Sequence, residues 1–352
     1  MKVRSNNFEI LRILCMLMII YWHSCVHGLK LLKVEPTEFP NTLQGLFNLV
    51  SAEMLLAFAA VAVNCYILIS GYFLINNTNP RWKKICKIWL EVAFYSVIFI
   101  GMTAIFDTNI APPLLKSFLQ IFPILSKQYY FVSNYLALMA ISPYLARMVL
   151  HLSKNEYQKM LVLGFLLNSC LYTFSCGYSF PYGTNYGGAY SLMWFIYLFL
   201  VGGYVRKFDV PTYISKKSGI LFCVISFFLG IYSVIKLLRS DLFVLQINHY
   251  NYNGYVFFGS VCLFLYFKNI KFSNPFWNVI SHLSPYTLGV YIIHDNFYVR
   301  HFLWCKAISV SSYVVTPYFL MIILIIPFVI YLVCVCVDWI RYQFFNKVLK
   351  MG

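Results

Sequence analysis

Acidic side chains are scarce in this chain: 11 Asp and Glu stand among 352 residues, against 27 Lys and Arg. Charged residues of both signs make up only 11% of the sequence, while hydrophobic residues reach 61%. A water-soluble domain cannot cover that much apolar surface, so a soluble enzyme is excluded and a polytopic membrane protein is indicated. The 11 cysteines form no Cys-x-x-Cys pair and lie mostly inside apolar segments. That scatter excludes a disulfide framework or a zinc site and fits small buried hydrophobes. No small-residue cleavage site follows the first apolar run, which is therefore expected to be a retained span. Polar stretches do not exceed about 20 residues, too few for a soluble domain of their own, and no repeat of solenoid length is visible.

What the sequence has in abundance is apolar runs of membrane-crossing length. About ten fall near 8–28, 54–75, 88–106, 130–150, 160–176, 190–205, 218–238, 254–268, 279–298 and 314–337. An even number places both termini on one side. With that side cytoplasmic, inside loops collect 18 basic residues and outside loops 8, with Arg12 left inside the first span. The asymmetry predicts an all-α protein of about ten transmembrane helices, both ends inside. It also accounts for the net charge of +16 by topology, so no nucleic-acid partner is expected beside the lipid bilayer.

Against this apolar background the first span holds Arg12 and His23, both ionisable. Such residues at membrane depth are costly unless they face a protein interior, which makes them functional candidates. Eleven residues turn a helix through about 1100°, roughly 20° past three turns, so the two share a face about 16 Å apart. An imidazole that titrates near neutrality suits a general base, although a histidine bonded to a neighbouring helix is the structural alternative. His27 adds a His-x-x-x-His spacing, but no carboxylate or thiolate accompanies it in the segment, so no metal is expected.

Three further groups carry possible chemistry. Ser70-Gly71 interrupts the second span near its cytoplasmic end, where Gly permits close backbone approach and Ser can meet a ligand or simply pack. Arg81, Lys83, Lys84 and Lys87 form the densest basic patch, suited to a polyanion such as nucleotide phosphates, or else to positive-inside topology alone. His294, Asp295 and Asn296 lie in the outer half of the ninth span, either as a second polar site or as the polar end of a helix. Side chains at adjacent helical positions point about 100° apart, which separates His294 from Asp295 in an unbroken helix. The outer loops 177–190 and 246–255 are rich in Tyr, Asn and Gly, a composition that suits sugars but also membrane interfaces. Glu53, near the outer mouth of the second span, is a candidate helper.

In combination these stretches resemble acyltransferase family 3, the integral-membrane acyltransferases, and in particular the branch that O-acetylates bacterial surface polysaccharides. The resemblance rests on Arg12-x10-His23 and on AVNCYILISGYFL closing the second span. YYFVSNYLALMAISPYL (129–145), WFIYLFLVGGYVRK (194–207) and LGVYIIHDNFYVR (288–300) extend it, in order, over nearly the whole chain.

That resemblance implies a single transmembrane acyltransferase domain over 1–352 in a bacterial inner membrane. It implies acetyl-CoA as the acyl donor on the cytoplasmic side and a polysaccharide or lipid-linked sugar as acceptor. His23 would be the catalytic base and Arg12 its paired residue. Arg81, Lys84 and Lys87, with Ser70 and Gly71, would bind the cofactor, and His294, Asp295 and Glu53 the acceptor. The family's Arg-x-x-Arg element falls on Arg81 to Lys84 or on Lys84 to Lys87, where lysine gives charge without the bidentate fork. Ser24, Cys25 and Ser70 are the available nucleophiles if an acyl-enzyme forms. Some relatives carry a fused esterase domain; here that step is expected to be intrinsic or supplied by a partner. The competing readings are a transporter or flippase for lipid-linked saccharide and a saccharide polymerase.

Overall fold

The computed structural model describes residues 6–31, 40–106, 118–123, 129–171, 191–209, 212–238 and 253–348. Among these residues every regular element is helical. The helices are α1 (Asn6–His23), α2 (Leu43–Ala59), α3 (Ala62–Leu74), α4 (Trp82–Phe106), α5 (Tyr130–Leu150), α6 (Lys154–Phe165) and α7 (Leu192–Lys207). They continue with α8 (Thr212–Leu238), α9 (Gly254–Asn269), α10 (Pro275–Ser281), α11 (Thr287–His294), α12 (Phe297–His301) and α13 (Phe319–Val348). Both tyrosine-rich outer loops, 177–190 and most of 246–255, lie outside the described residues.

Five segments among the described residues are long and apolar enough to cross a bilayer: Asn6–Gly28, Leu43–Leu74, Trp82–Ile105, Lys217–Leu238 and Phe319–Lys347. Their burial sorts them. In the most apolar window, 56% of the first and 67% of the second are buried in protein, against 28–39% for the other three. The first two are therefore central, and α4, α8 and α13 turn much apolar surface outward, as lipid-facing helices do.

The second span starts eleven residues earlier than its hydropathy suggests, at Leu43 rather than 54. The polar residues that disguise it are buried with partners. The Asn48 amide donates to the carbonyls of Val314 and Thr316, each at 2.8 Å, and Glu53 is 6% exposed. α13 likewise runs eleven residues past its expected end at 337, because its charges compensate one another there. Arg341 makes two bonds to Asp338, at 2.6 and 3.1 Å, and lies 3.3 Å from Glu91 on α4. The Tyr95 hydroxyl donates to Asp338 at 2.8 Å. Across the interface Gly289 of α11 presses on the same carboxylate, which a Cβ there would meet within 2.1 Å.

α3 and α7 cross backbone to backbone through small residues. A Cβ at Gly71 would fall 2.1 Å from the Phe199 carbonyl oxygen, and one at Gly202 2.2 Å from that of Leu68. Close approach of this kind is how membrane helices gain packing energy without a hydrophobic drive. Gly71 thus seats the crossing. Gly71→Val is expected to force the helices apart at a cost of about 1–3 kcal/mol, read as a lower thermal midpoint in detergent. An unchanged midpoint would refute this role.

Candidate active site

α1 stays regular to His23 and then widens into a π-helical turn over Ser24–Gly28, with the Ser24 hydroxyl donating to the Tyr21 carbonyl at 2.7 Å. Such turns re-aim side chains and concentrate at functional sites. Here the His23 and His27 rings stand 5.4 Å apart, centroid to centroid.

Opposite them the ninth predicted span is broken. α11 ends at His294, Asp295 caps it, and the Asn296 side chain accepts from the Tyr298 amide at 3.0 Å to start α12. The break removes the 100° separation that an intact helix would impose on His294 and Asp295. Both reach His23: His294 Nε2 lies 2.9 Å from His23 Nδ1, and Asp295 Oδ1 lies 3.6 Å from the same nitrogen. His294 and Asn296 are fully buried and Asp295 nearly so. The histidine's other nitrogen, Nδ1, is 2.6 Å from the Val290 carbonyl.

Two participants carry no obvious sequence signal. Arg300, one turn into α12, reaches Asp295 Oδ1 and His27 Nε2, each at 3.4 Å. Tyr129, fully buried, donates to the Ile292 carbonyl at 3.1 Å and accepts from the Asn296 amide at 2.7 Å, so it braces the break. Arg300 reads in the sequence as an outer-loop cation, and Tyr129 as one aromatic among 29 tyrosines.

One donor each from His23, His27 and Asp295 falls within a 4.8 Å group, a reach that suits a metal ion. Part of that donor set is engaged elsewhere. Arg300 places a permanent cation against two of the three residues, and His23 Nδ1 already faces His294. A second cation at that point would meet the repulsion of Arg300 as well as the attraction of Asp295.

Arg12 lies apart from this cluster. Its guanidinium donates to Glu9 at 2.6 Å, and the other Glu9 oxygen accepts from Ser284. The Tyr66 hydroxyl donates to the Arg12 carbonyl at 2.6 Å. Glu9, three residues before Arg12, is a partner that the i, i+3 spacing could have revealed. Ser70 donates to the Tyr66 carbonyl at 2.9 Å, and its oxygen lies 3.3 Å from the Tyr135 hydroxyl. Tyr135 in turn feels the positive field of Lys84, Arg12 and Arg81. Arg81, Lys84 and Lys87 are themselves exposed at the start of α4. Arg12, Ser70, Arg81 and Lys84 therefore group near Tyr135 as a second cluster.

Aromatic rings join the two clusters. Phe131 stacks on Tyr135 at 5.7 Å and meets Tyr66 at 6.0 Å and Tyr291 at 5.8 Å. Tyr291 then stands edge-on to His294 at 6.2 Å. Glu53 is not in either group; it neighbours Tyr21, Cys25 and Lys236. Ser24 and Cys25, two of the possible nucleophiles, are fully buried.

Comparison with known proteins agrees with the resemblance read from the motifs. The family model for the acyltransferase domain, acyltransferase family 3, matches residues 5–339. Neither the curated proteins nor the solved structures return a match. A match over nearly the full length, on a chain of apolar helices, assigns this protein to acyltransferase family 3, as a membrane acyltransferase.

Proposed function

We propose that the protein moves an acetyl group from acetyl-CoA to a hydroxyl of a cell-surface or lipid-linked polysaccharide, in a bacterial inner membrane. Ten spans with both termini cytoplasmic would place the Arg81–Lys87 patch inside the cell and the His23 cluster toward the outer half. The observation that carries this reading is the aromatic connection between the two clusters. It links a basic surface suited to nucleotide phosphates to a buried imidazole suited to proton removal.

In this scheme Arg81, Lys84 and Lys87 hold the cofactor's phosphates at the mouth. Ser70 and Tyr135 line the way, beside the α3–α7 crossing that Gly71 permits. Arg12, held by Glu9, orients the thioester arm. His23 removes the acceptor's hydroxyl proton as the oxygen attacks the thioester carbonyl. Collapse of the tetrahedral species breaks the carbon–sulfur bond, and the proton held on His23 passes to the leaving CoA sulfur. Direct transfer of this kind needs no acyl-enzyme. Asp295 and Arg300 shape the acceptor side of the cluster, while Glu53 stands outside it near Tyr21 and Cys25.

Family membership favours group transfer over transport or polymerisation. The test is incubation of purified protein with radiolabelled acetyl-CoA and isolated surface polysaccharide. Label in the glycan is expected, and release of label only as free acetate would overturn the acceptor assignment. Lys84→Gln is expected to raise KM for acetyl-CoA roughly tenfold with kcat little changed, since a charged phosphate contact is worth about 1.5–3 kcal/mol. An unchanged KM would remove Lys84 from the donor site.

A further inference from the structure

The imidazole cluster fixes where its own hydrogens sit. A backbone carbonyl can only accept, so His294 Nδ1, 2.6 Å from the Val290 oxygen, must carry a hydrogen. Neutral His294 then presents a lone pair at Nε2. That lone pair faces His23 Nδ1 at 2.9 Å, so His23 must donate from Nδ1. The Asp295 carboxylate, 3.6 Å from the same His23 nitrogen, is beyond hydrogen-bond reach, but its negative charge favours a hydrogen on that side of the ring. The Val290–His294–His23 chain of contacts thus leaves His23 with its hydrogen on Nδ1 and a bare lone pair on Nε2, and the Asp295 charge agrees with it.

We propose that His294 is a positioning residue: it holds His23 as the Nδ1–H tautomer, so that Nε2 is the nitrogen that takes the acceptor's proton. This rests on the reading of His23 as the base and says which atom does the work. It moves His294 from an acceptor contact to a partner of the base, in the place a carboxylate takes in a serine-hydrolase triad.

The remaining charges around His23 fit the arrangement. When Nε2 gains a proton, the Nδ1–H of the resulting imidazolium still points at the His294 lone pair and the Asp295 carboxylate. Arg300 only donates, so His27 Nε2, 3.4 Å from it, is that ring's lone-pair nitrogen. His27, His294, Asp295 and Arg300 are the titratable and charged groups that face His23 from α1, α11 and α12.

The experiment compares His294→Phe with His294→Gln in the purified full chain, with acetyl-CoA and isolated polysaccharide as substrates. Nitrogen NMR of ¹⁵N-histidine-labelled protein in bilayers accompanies it, with the His23 signals identified by their loss in His23→Gln. The expected spectrum shows His23 protonated at Nδ1 and bare at Nε2. Phenylalanine offers no acceptor, so kcat should fall by roughly 10²-fold or more while KM for both substrates holds. The glutamine amide oxygen can accept from His23, and that variant should recover at least about tenfold of the loss. A wild-type spectrum with His23 protonated at Nε2 would overturn the inference. So would a raised acceptor KM at unchanged kcat in His294→Phe, the signature of a substrate contact. The spectrum reads the tautomer even if transfer proves independent of His23, so the two readings fail separately. It also needs no His294 variant to fold.

Discussion

Replacing His23 with alanine is expected to lower acetyl transfer by about 10²–10⁴-fold, the range that a positioned acid–base group supplies. Acyl transfer from a thioester needs a base that is unprotonated yet close to the acceptor hydroxyl, and imidazole meets that need near neutral pH. His23 meets three groups of the cluster: it bonds His294, approaches Asp295 and lies near the His27 ring. Its removal leaves the helix that bears it anchored elsewhere. Tyr21 still donates to the Ala52 carbonyl at 2.9 Å, and Asn7 to that of Phe267 at 2.7 Å. Expression and thermal midpoint should therefore stay near wild type. A variant with near-normal turnover would end the assignment, whereas one that loses both turnover and midpoint would mark a structural histidine.

The second large effect is expected at Arg341, which belongs to neither proposed cluster. Arg341→Ala leaves Asp338, fully buried, and Glu91, nearly so, without their cation. Removing one partner from a buried ionic group costs about 3–5 kcal/mol, because the remaining charges lose their compensation and cannot reach water. The loss should spread, since Asp338 also receives Tyr95 and is packed on Gly289 of α11, the helix that ends at His294. Thermal unfolding in detergent reads the cost directly. Adding Glu91→Gln and Asp338→Asn to the alanine variant should restore much of the midpoint, because neutral amides carry a smaller desolvation cost. A single variant as stable as wild type would show that the group contributes little.

Composition and basic-residue asymmetry made the membrane class and the helical fold legible, since bilayer thickness and backbone satisfaction allow few alternatives. The Arg12–His23 and Ser70-Gly71 signals were visible for the same reason: polar residues in hydrocarbon demand an explanation. What escaped was whatever depends on partners distant in sequence. Asn48 and Glu53 look like a span's polar flank until α13's approach supplies acceptors for Asn48. Asp338 and Arg341 look like the end of a helix until Glu91 and Tyr95 meet them. The convergence of His294 with Asp295 required a break that no Pro or Gly at that point announces. Arg300 entered the site only because that break turns α12 back toward His27. The Arg12–Glu9 pair, by contrast, was local and available.

The placement of α1 bears on how the proposed donor and acceptor would reach its polar groups. This helix touches α2, α3, α9, α10, α11 and α13, and hydrogen bonds pin it near both of its ends. Rocking so enclosed an axle as a rigid body would strain six seams together, which packed interiors resist. Traffic to its polar groups is then a matter for the periphery: rotamer swings among the bridging rings, or small slides of the outermost helices through the lipid. The machine is built around a stationary spindle, and the reagents come to it.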